Sequence, residues 1–272
     1  MLSHLPPLRE VIAKHGLSAR KGLGQNFILD LNLTRKIARA AGDLTHVNVI
    51  EIGPGPGGLT RAILESPAAS VTVIELDPRA IGVMRDLAEH ADGRLNIIEG
   101  DALEFNPEMV AAPRAIIANL PYHVASQLLI GWLKQISGFK SITIMLQKEM
   151  AQRLAARPRT AAYGRLSVMC QWLCDVKLLF DVPPSAFVPP PKVVSSIVQL
   201  VPKNQIPEIA FEQMEKTVAL AFSQRRKMLK GILNGAGHDG EKLMIEIGNH
   251  VTARAEELTV EQFINLATLI KA

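Results

Sequence analysis

The sequence predicts an α/β fold with a mostly parallel sheet, followed by a small all-helical domain. Three observations predict it. Between residues 47 and about 118, short β-branched runs alternate with segments whose apolar residues recur every three or four positions, the rhythm of βαβ units. A glycine-rich turn, EIGPGPGG at 51–58, joins the first such run to the first helical segment, where ligands bind in open α/β sheets. Beyond VPKNQIP at 201–207 the periodicity becomes purely helical.

Taken in order, VNVIEI (47–52), SVTVIE (70–75), LNIIE (95–99) and RAIIAN (114–119) are apolar nearly throughout, as strands covered on both faces should be. Between and after them, the spacing predicts helices over 58–65, 78–90 and 124–135. A fifth strand, SITIMLQ (141–147), leads into two further helices, KEMAQRLAAR (148–157) and GRLSVMCQWL (164–173). The last two strands, CDVKLLFDV (174–182) and VVSSIVQLV (193–201), flank PPSAFVPPPK, whose prolines bar helix and central strand. They read as a hairpin completing the edge of a seven-stranded sheet. The linker divides the chain into residues 1–204 and a helical domain of 205–272.

Composition narrows the function classes. The chain has 272 residues, 48% hydrophobic and 21% charged, which excludes disorder and leaves room for one sizeable domain and a smaller one. Cys170 and Cys174 stand four apart with no second pair and no histidine at ligand spacing, so no metal site is expected and a reducing, cytoplasmic setting fits. No apolar stretch is long enough to span a membrane, and the first thirty residues lack the apolar core of a secretory signal. The net charge of +4 is compatible with a polyanionic partner.

Gly53, Gly55 and Gly58 satisfy the G-x-G-x-x-G dinucleotide pattern, and Glu75 ends the second strand where an acid can take ribose hydroxyls. Alone, this loop is compatible with NAD. Three features favour S-adenosyl-L-methionine. Glu51 sets a carboxylate just before the turn, suited to a cofactor with a cationic amino acid end and repulsive beside a pyrophosphate. Asp101 and Ala102 follow the third strand, where a carboxylate accepts from an adenine amine and a nearby amide addresses a ring nitrogen.

The third feature is Asn119-Leu120-Pro121-Tyr122 at the end of the fourth strand. An adenine N6 amine is a poor nucleophile because its lone pair is delocalised into the ring. The Asn119 side-chain oxygen and a backbone carbonyl at Leu120 or Pro121 can bind both amine hydrogens and aim the lone pair at a sulfonium methyl. Pro121 stiffens that carbonyl, and Tyr122 can stack on the base; such a site works by positioning rather than by a strong base. A base must leave its stack to enter, and aromatic side chains commonly hold it there. Phe187, in SAFVPPP, is the second candidate wall, with core packing an equal alternative.

At this point the sequence resembles a known family, the rRNA adenine-N6 dimethyltransferases, in its bacterial small-subunit (16S) branch. The resemblance runs through GLGQNFI (22–28), EIGPGPGGLT, VIELD (73–77), GDAL (100–103), NLPYHVAS (119–126), MLQKEMAQRL (145–154), AFVPPPKVVSS (186–196), AFSQRRKML (221–229) and RAEELTVEQFINLA (254–267). It implies a Rossmann-like class I methyltransferase that transfers methyl groups from S-adenosyl-L-methionine to N6 of two adjacent adenines near the 3′ end of small-subunit rRNA. It further implies that Asn26, Ile28, Gly53, Glu75, Asp101 and Asn119 line the cofactor pocket, with GQNF as a flap over it. Ile28 stands where the family usually has Leu, a conservative change for an apolar contact. The expected partner is rRNA in an assembling small ribosomal subunit, with no membrane and no obligate protein partner, the protein acting as a monomer.

Two other readings compete. An NAD-dependent oxidoreductase shares the glycine loop but leaves Asn119 to Tyr122 without purpose. A noncatalytic nucleic-acid-binding factor of the same descent would not need Asn119, Pro121 and Tyr122 intact. Basic residues cluster at Arg153, Arg157, Arg159 and Arg165, and at Arg225, Arg226, Lys227 and Lys230. Both clusters are candidate phosphate contacts, against the plainer possibility of solvated helix faces.

Overall fold

The computed structural model describes residues 2–20, 22, 24–122 and 124–270. These residues form two compact units, one of residues 1–151 and 177–202, the other of 152–176 and 203–272.

The first unit opens with helices α1 (Leu8–Lys14) and α2 (Leu31–Ala40), between which lies a two-residue strand, β1 (Phe27–Ile28). The alternating part follows as β2 (Asn48–Ile52), α3 (Gly58–Leu64), β3 (Ser70–Glu75), α4 (Pro78–Ala88), β4 (Leu95–Glu99), β5 (Arg114–Asn119), α5 (Ala125–Lys134) and β6 (Phe139–Gln147). Helix α6 (Lys148–Leu154) and helix α7 (Arg165–Leu173) precede β7 (Cys174–Val182), a short β8 (Phe187–Val188) and β9 (Ser195–Pro202). Seven strands form one sheet in the order β4-β3-β2-β5-β6-β9-β7. Strands β2 to β6 pair in parallel and β9 runs antiparallel to β6, with β7 on the edge beside β9. The α/β architecture and mostly parallel seven-stranded sheet expected from the sequence are therefore present.

The strands were legible because they are covered on both faces. Val49, Ile50, Val71, Val73, Ala115, Ile116 and Ile117 are wholly buried. With no solvated face, nothing in these runs has to be polar. Helix ends follow local chemistry. Asp77 caps α4 by accepting from the Arg79 amide at 3.1 Å, with Pro78 in the first turn. Helix α6 ends at Leu154, three residues short of the expectation, since Pro158 disfavours a helical Arg157.

The second unit contains α7 together with α8 (Phe211–Ala221), α9 (Leu229–Gly235), α10 (Gly240–Glu246) and α11 (Val260–Leu269). Helix α7 packs against α8 and α11, which is why 152–176 joins this unit although the composition shift lies near residue 204. Its core includes an aromatic group in which Phe222 stacks on Phe263 and meets Tyr163 edge-on.

Candidate active site

The sheet order reverses at β2, which has β3 on one side and β5 on the other. Helices then leave in opposite directions and a crevice opens at the carboxyl ends of these strands. That crevice is a cleft lined wholly by residues of the first unit.

The glycine turn shapes its floor. Gly53, Gly55 and Gly57 have φ of 64°, 53° and 83°, a left-handed backbone that side chains rarely adopt. At Gly53 a Cβ would meet no protein atom within 4 Å, so the backbone faces open cleft there. At Gly55 a Cβ would come within 3.0 Å of the Phe27 ring, so the absence of a side chain lets the 24–28 segment close down.

Three carboxyls converge on this floor. Glu75 is buried at 7% exposure; its Oε1 accepts from the Leu76 and Asp77 amides, both at 2.8 Å, and its Oε2 from the Gly55 amide at 3.3 Å. Burial raises its pKa, and those amide bonds oppose the shift. Glu51 is more deeply enclosed, at 1% exposure, with one carboxyl oxygen lacking any partner. Burial pushes its pKa up to about 8, the Thr60 hydroxyl opposing and the Glu75 charge adding to the shift. Near neutral pH Glu51 is therefore largely protonated, whereas the sequence had it as a carboxylate. Asp101 is exposed, and its Oδ1 accepts from the Leu103 amide at 2.9 Å, leaving the second oxygen for a ligand.

Strand β5 delivers Asn119 to the cleft rim. Its Nδ2 donates to the Asn26 carbonyl at 3.3 Å, which turns the side-chain oxygen away as a free acceptor. Leu120, Pro121 and Tyr122 continue the same wall. The Tyr122 hydroxyl lies 2.8 Å from the Ser195 hydroxyl on β9, which pins the ring from its outer end.

Every residue expected at the cofactor lines this cleft: Asn26, Ile28, Glu51, Gly53, Gly55, Glu75, Asp101, Ala102 and Asn119. So do Leu120, Pro121 and Tyr122. Phe187 does not. It is buried at 3% within the core beside Phe27 and Ile28, and its strand β8 pairs antiparallel with β1, setting Phe187 opposite Ile28. The ring packs beneath the flap as core, the alternative the sequence left open, and its backbone anchors the flap.

Sequence reasoning gave no individual role to Leu76, an apolar side chain 57% exposed on the cleft wall, or to Gln25 and Asp77, quoted only within GQNF and VIELD, which fasten the flap. Asp77 carried one signal, an Asp-Pro pair at a helix start.

Comparison with known proteins decides the family. Residues 16–272 match the family described as ribosomal RNA adenine dimethylase. The chain belongs to that family. Among its relatives, a ribosomal RNA small subunit methyltransferase A of Rhodospirillum rubrum is 55% identical over 98% of this chain and 93% of that protein. One of the same name from Paramagnetospirillum magneticum is 52% identical over 100% of this chain and 97% of its own. Among solved structures, a dimethyladenosine transferase from Plasmodium falciparum superposes with a TM-score of 0.75 at 27% identity, covering 87% of this chain and 94% of that one. The 23S rRNA methyltransferase ErmE gives 0.69 at 27% identity, covering 89% and 98%. As a member of the ribosomal RNA adenine dimethylase family, the chain is an rRNA methyltransferase with the class I fold expected of it. No helix among the described residues is long and apolar enough to cross a membrane.

Proposed function

We propose that the chain transfers methyl groups from S-adenosyl-L-methionine to N6 of two adjacent adenines near the 3′ end of small-subunit rRNA, giving N6,N6-dimethyladenosine. The observation that carries this reading is the convergence on one cleft of Glu75, Asp101 and Asn119-Leu120-Pro121-Tyr122 from the carboxyl ends of β3, β4 and β5, on either side of β2.

The cleft suits that cofactor. The Gly53 backbone faces open space, the Oε2 of Glu75 is engaged only by a loose 3.3 Å bond, and Asp101 keeps one oxygen unshared. Glu75 would hold the ribose hydroxyls, Asp101 the adenine amine beside the Ala102 amide, and Leu76 an apolar face of the base. Glu51 supplies a buried carboxyl that can ionise opposite a cationic amino acid end. Asn26 and Ile28 would close the cofactor from above. When bound, the cofactor supplies an electrophilic sulfonium methyl.

The chain's own residues then solve the nucleophile's problem. The Asn119 side-chain oxygen accepts one hydrogen of the target amine, and the carbonyl of Leu120 or Pro121 accepts the other. This turns the nitrogen lone pair out of conjugation and toward the methyl. Tyr122, its hydroxyl held by Ser195, stacks on the extruded base. Each transfer would form an N6–C bond as the sulfonium S–C bond breaks and would release one N6 proton to solvent, so in the second round one amine hydrogen remains, and Asn119 can still bind it.

Catalysis is assigned to the methyltransferase domain of residues 1–204, followed by the helical domain of 205–272, with the substrate an assembling small subunit and the enzyme a cytoplasmic monomer without an obligate protein partner. The eight basic residues singled out in the sequence fall in the second packing unit, and of these the exposed Arg226 and Lys227 are assigned to phosphate contacts. Incubating the protein with unmethylated small subunits and labelled S-adenosyl-L-methionine, then analysing nucleosides by mass spectrometry, tests the reading. Two dimethyladenosines at adjacent positions are expected; methyl groups on another base or position would overturn it.

A further inference from the structure

We infer that Gln25 and Asp77 are positioning residues for methyl transfer, holding the Asn26 carbonyl where it fixes which way the Asn119 carboxamide faces. This rests on the assignment of Asn119 to the target amine. A carboxamide can present either its oxygen or its nitrogen to a partner, and only the oxygen can accept from an amine. Something must select that orientation. The Asn26 carbonyl accepts and cannot donate, so at 3.3 Å from Nδ2 it draws the nitrogen toward the flap and turns the oxygen the other way. The flipped side chain would set two oxygens against each other.

The Asn26 carbonyl can do this only if the flap is held still, and the structure shows how it is held. The adjacent Gln25 donates from its Nε2 to Asp77 Oδ2 at 3.1 Å, while its Oε1 accepts from the Arg20 amide at 3.0 Å. The Asp77 side chain is 1% exposed and gripped at both oxygens by Arg79, from Nε at 3.0 Å and from Nη2 at 2.6 Å. That ion pair holds the Asp77 carboxyl down at about 2, so it stays charged at any working pH. The remaining arm of Arg79 reaches the Gly16 and Ser18 carbonyls at 2.9 and 3.1 Å. One buried carboxylate thus fastens the flap at Gln25 directly and at residues 16–18 through Arg79. The Asp77 amide also donates to Glu75, so the same turn sets the carboxylate assigned to the ribose.

Gln25 touches no reacting atom in this arrangement, and a clasp needed only for folding would use the same bonds. The two roles separate in a double-mutant cycle. Gln25→Met keeps the length and bulk of the side chain and removes the amide. At saturating cofactor and unmethylated small subunit, Gln25→Met is expected to slow single-turnover methyl transfer about 10-fold, the scale of a modest misplacement of a reacting group. Saturating cofactor absorbs any loss of affinity that a looser flap causes at Asn26 and Ile28, so the rate reports on the orientation of Asn119. In an Asn119→Ala background, Gln25→Met should cause no further slowing, because no carboxamide remains to orient. An unchanged rate in Gln25→Met would overturn the proposal. So would a full 10-fold loss added to that of Asn119→Ala, which marks a structural clasp. Near-normal transfer by Asn119→Ala alone is a separate result: it removes Asn119 from the chemistry, and with it any orienting role for Gln25.

Discussion

Asn119 and Arg225 were both singled out by sequence, and the structure treats them differently. Asn119, in the strand-end cleft, has its amide nitrogen engaged and its oxygen left over. Arg225, in the helical unit, donates from Nε to Glu256 at 3.2 Å and from Nη2 to the Ala161 and Tyr163 carbonyls. Its charge is largely satisfied within its own unit. An unsatisfied polar atom on a concave wall calls for a ligand, whereas a basic residue in a helical region often has an internal partner. Arg226 and Lys227, beside it, are exposed, and they remain the better phosphate candidates.

The largest effect should come from the cleft. Asn119→Ala is expected to slow the chemical step by about 100-fold or more, the scale for removing one preorganised polar group. A comparable rate loss from Arg225→Ala would erase the distinction between the two regions.

Tyr122 sharpens it further. Tyr122→Ala should lose stacking of about 1–3 kcal/mol. Tyr122→Phe and Ser195→Ala should each cost only about 1 kcal/mol, since each breaks the same hydroxyl–hydroxyl hydrogen bond and leaves the ring. Measured single-turnover rates check this, and equal defects in Tyr122→Phe and Tyr122→Ala would shift the essential role to the hydroxyl. Glu75→Ala should weaken cofactor binding by about 1–3 kcal/mol in calorimetry. Unchanged affinity with intact folding would take Glu75 out of the pocket.

Glu51 makes a prediction for the free protein. The folded state keeps its proton up to about pH 8, while the unfolded chain releases it near the ordinary value of 4.5. The native state therefore binds the extra proton between these values, and stability should fall as pH rises through that window and level off above it. Denaturant midpoints measured from pH 5 to 9 should show this decline in the wild type and a flatter profile in Glu51→Gln. The smallest effect belongs to the second unit. Arg226→Glu should lower the salt dependence of small-subunit binding by about one unit of log–log slope or slightly more. Arg225→Glu should instead lower thermal stability through its lost partners.

The cleft was legible in the sequence because its chemistry demands unusual residues at fixed places. Gly53 and Gly55 need left-handed backbone, Glu75 and Asp101 end successive strands, and Asn119 to Tyr122 combine acceptors with a stiff turn and a ring. What stayed hidden depends on contacts between distant segments. The pairing of β1 with β8 joins residues 27–28 to 187–188, and two-residue strands carry no period to detect. Burial of Phe187 follows from that pairing and from nothing in its neighbours. The membership of 152–176 in the helical unit likewise rests on packing against α8 and α11. Helix α2 is a different case: it buries Thr34, Ile37 and Ala38 on one face and leaves Lys36 and Arg39 exposed, an amphipathic pattern that was legible in the sequence and went unread.

The comparison between cleft and helical unit rests on a separation of chemistry from docking. Its most direct test is the single-turnover methylation rate as a function of small-subunit concentration, for Asn119→Ala and Arg226→Glu side by side with the wild type. The predicted result is a plateau lowered about 100-fold in Asn119→Ala with an unchanged half-saturating concentration, and in Arg226→Glu an unchanged plateau reached at higher concentration. A near-normal plateau in Asn119→Ala would contradict the account.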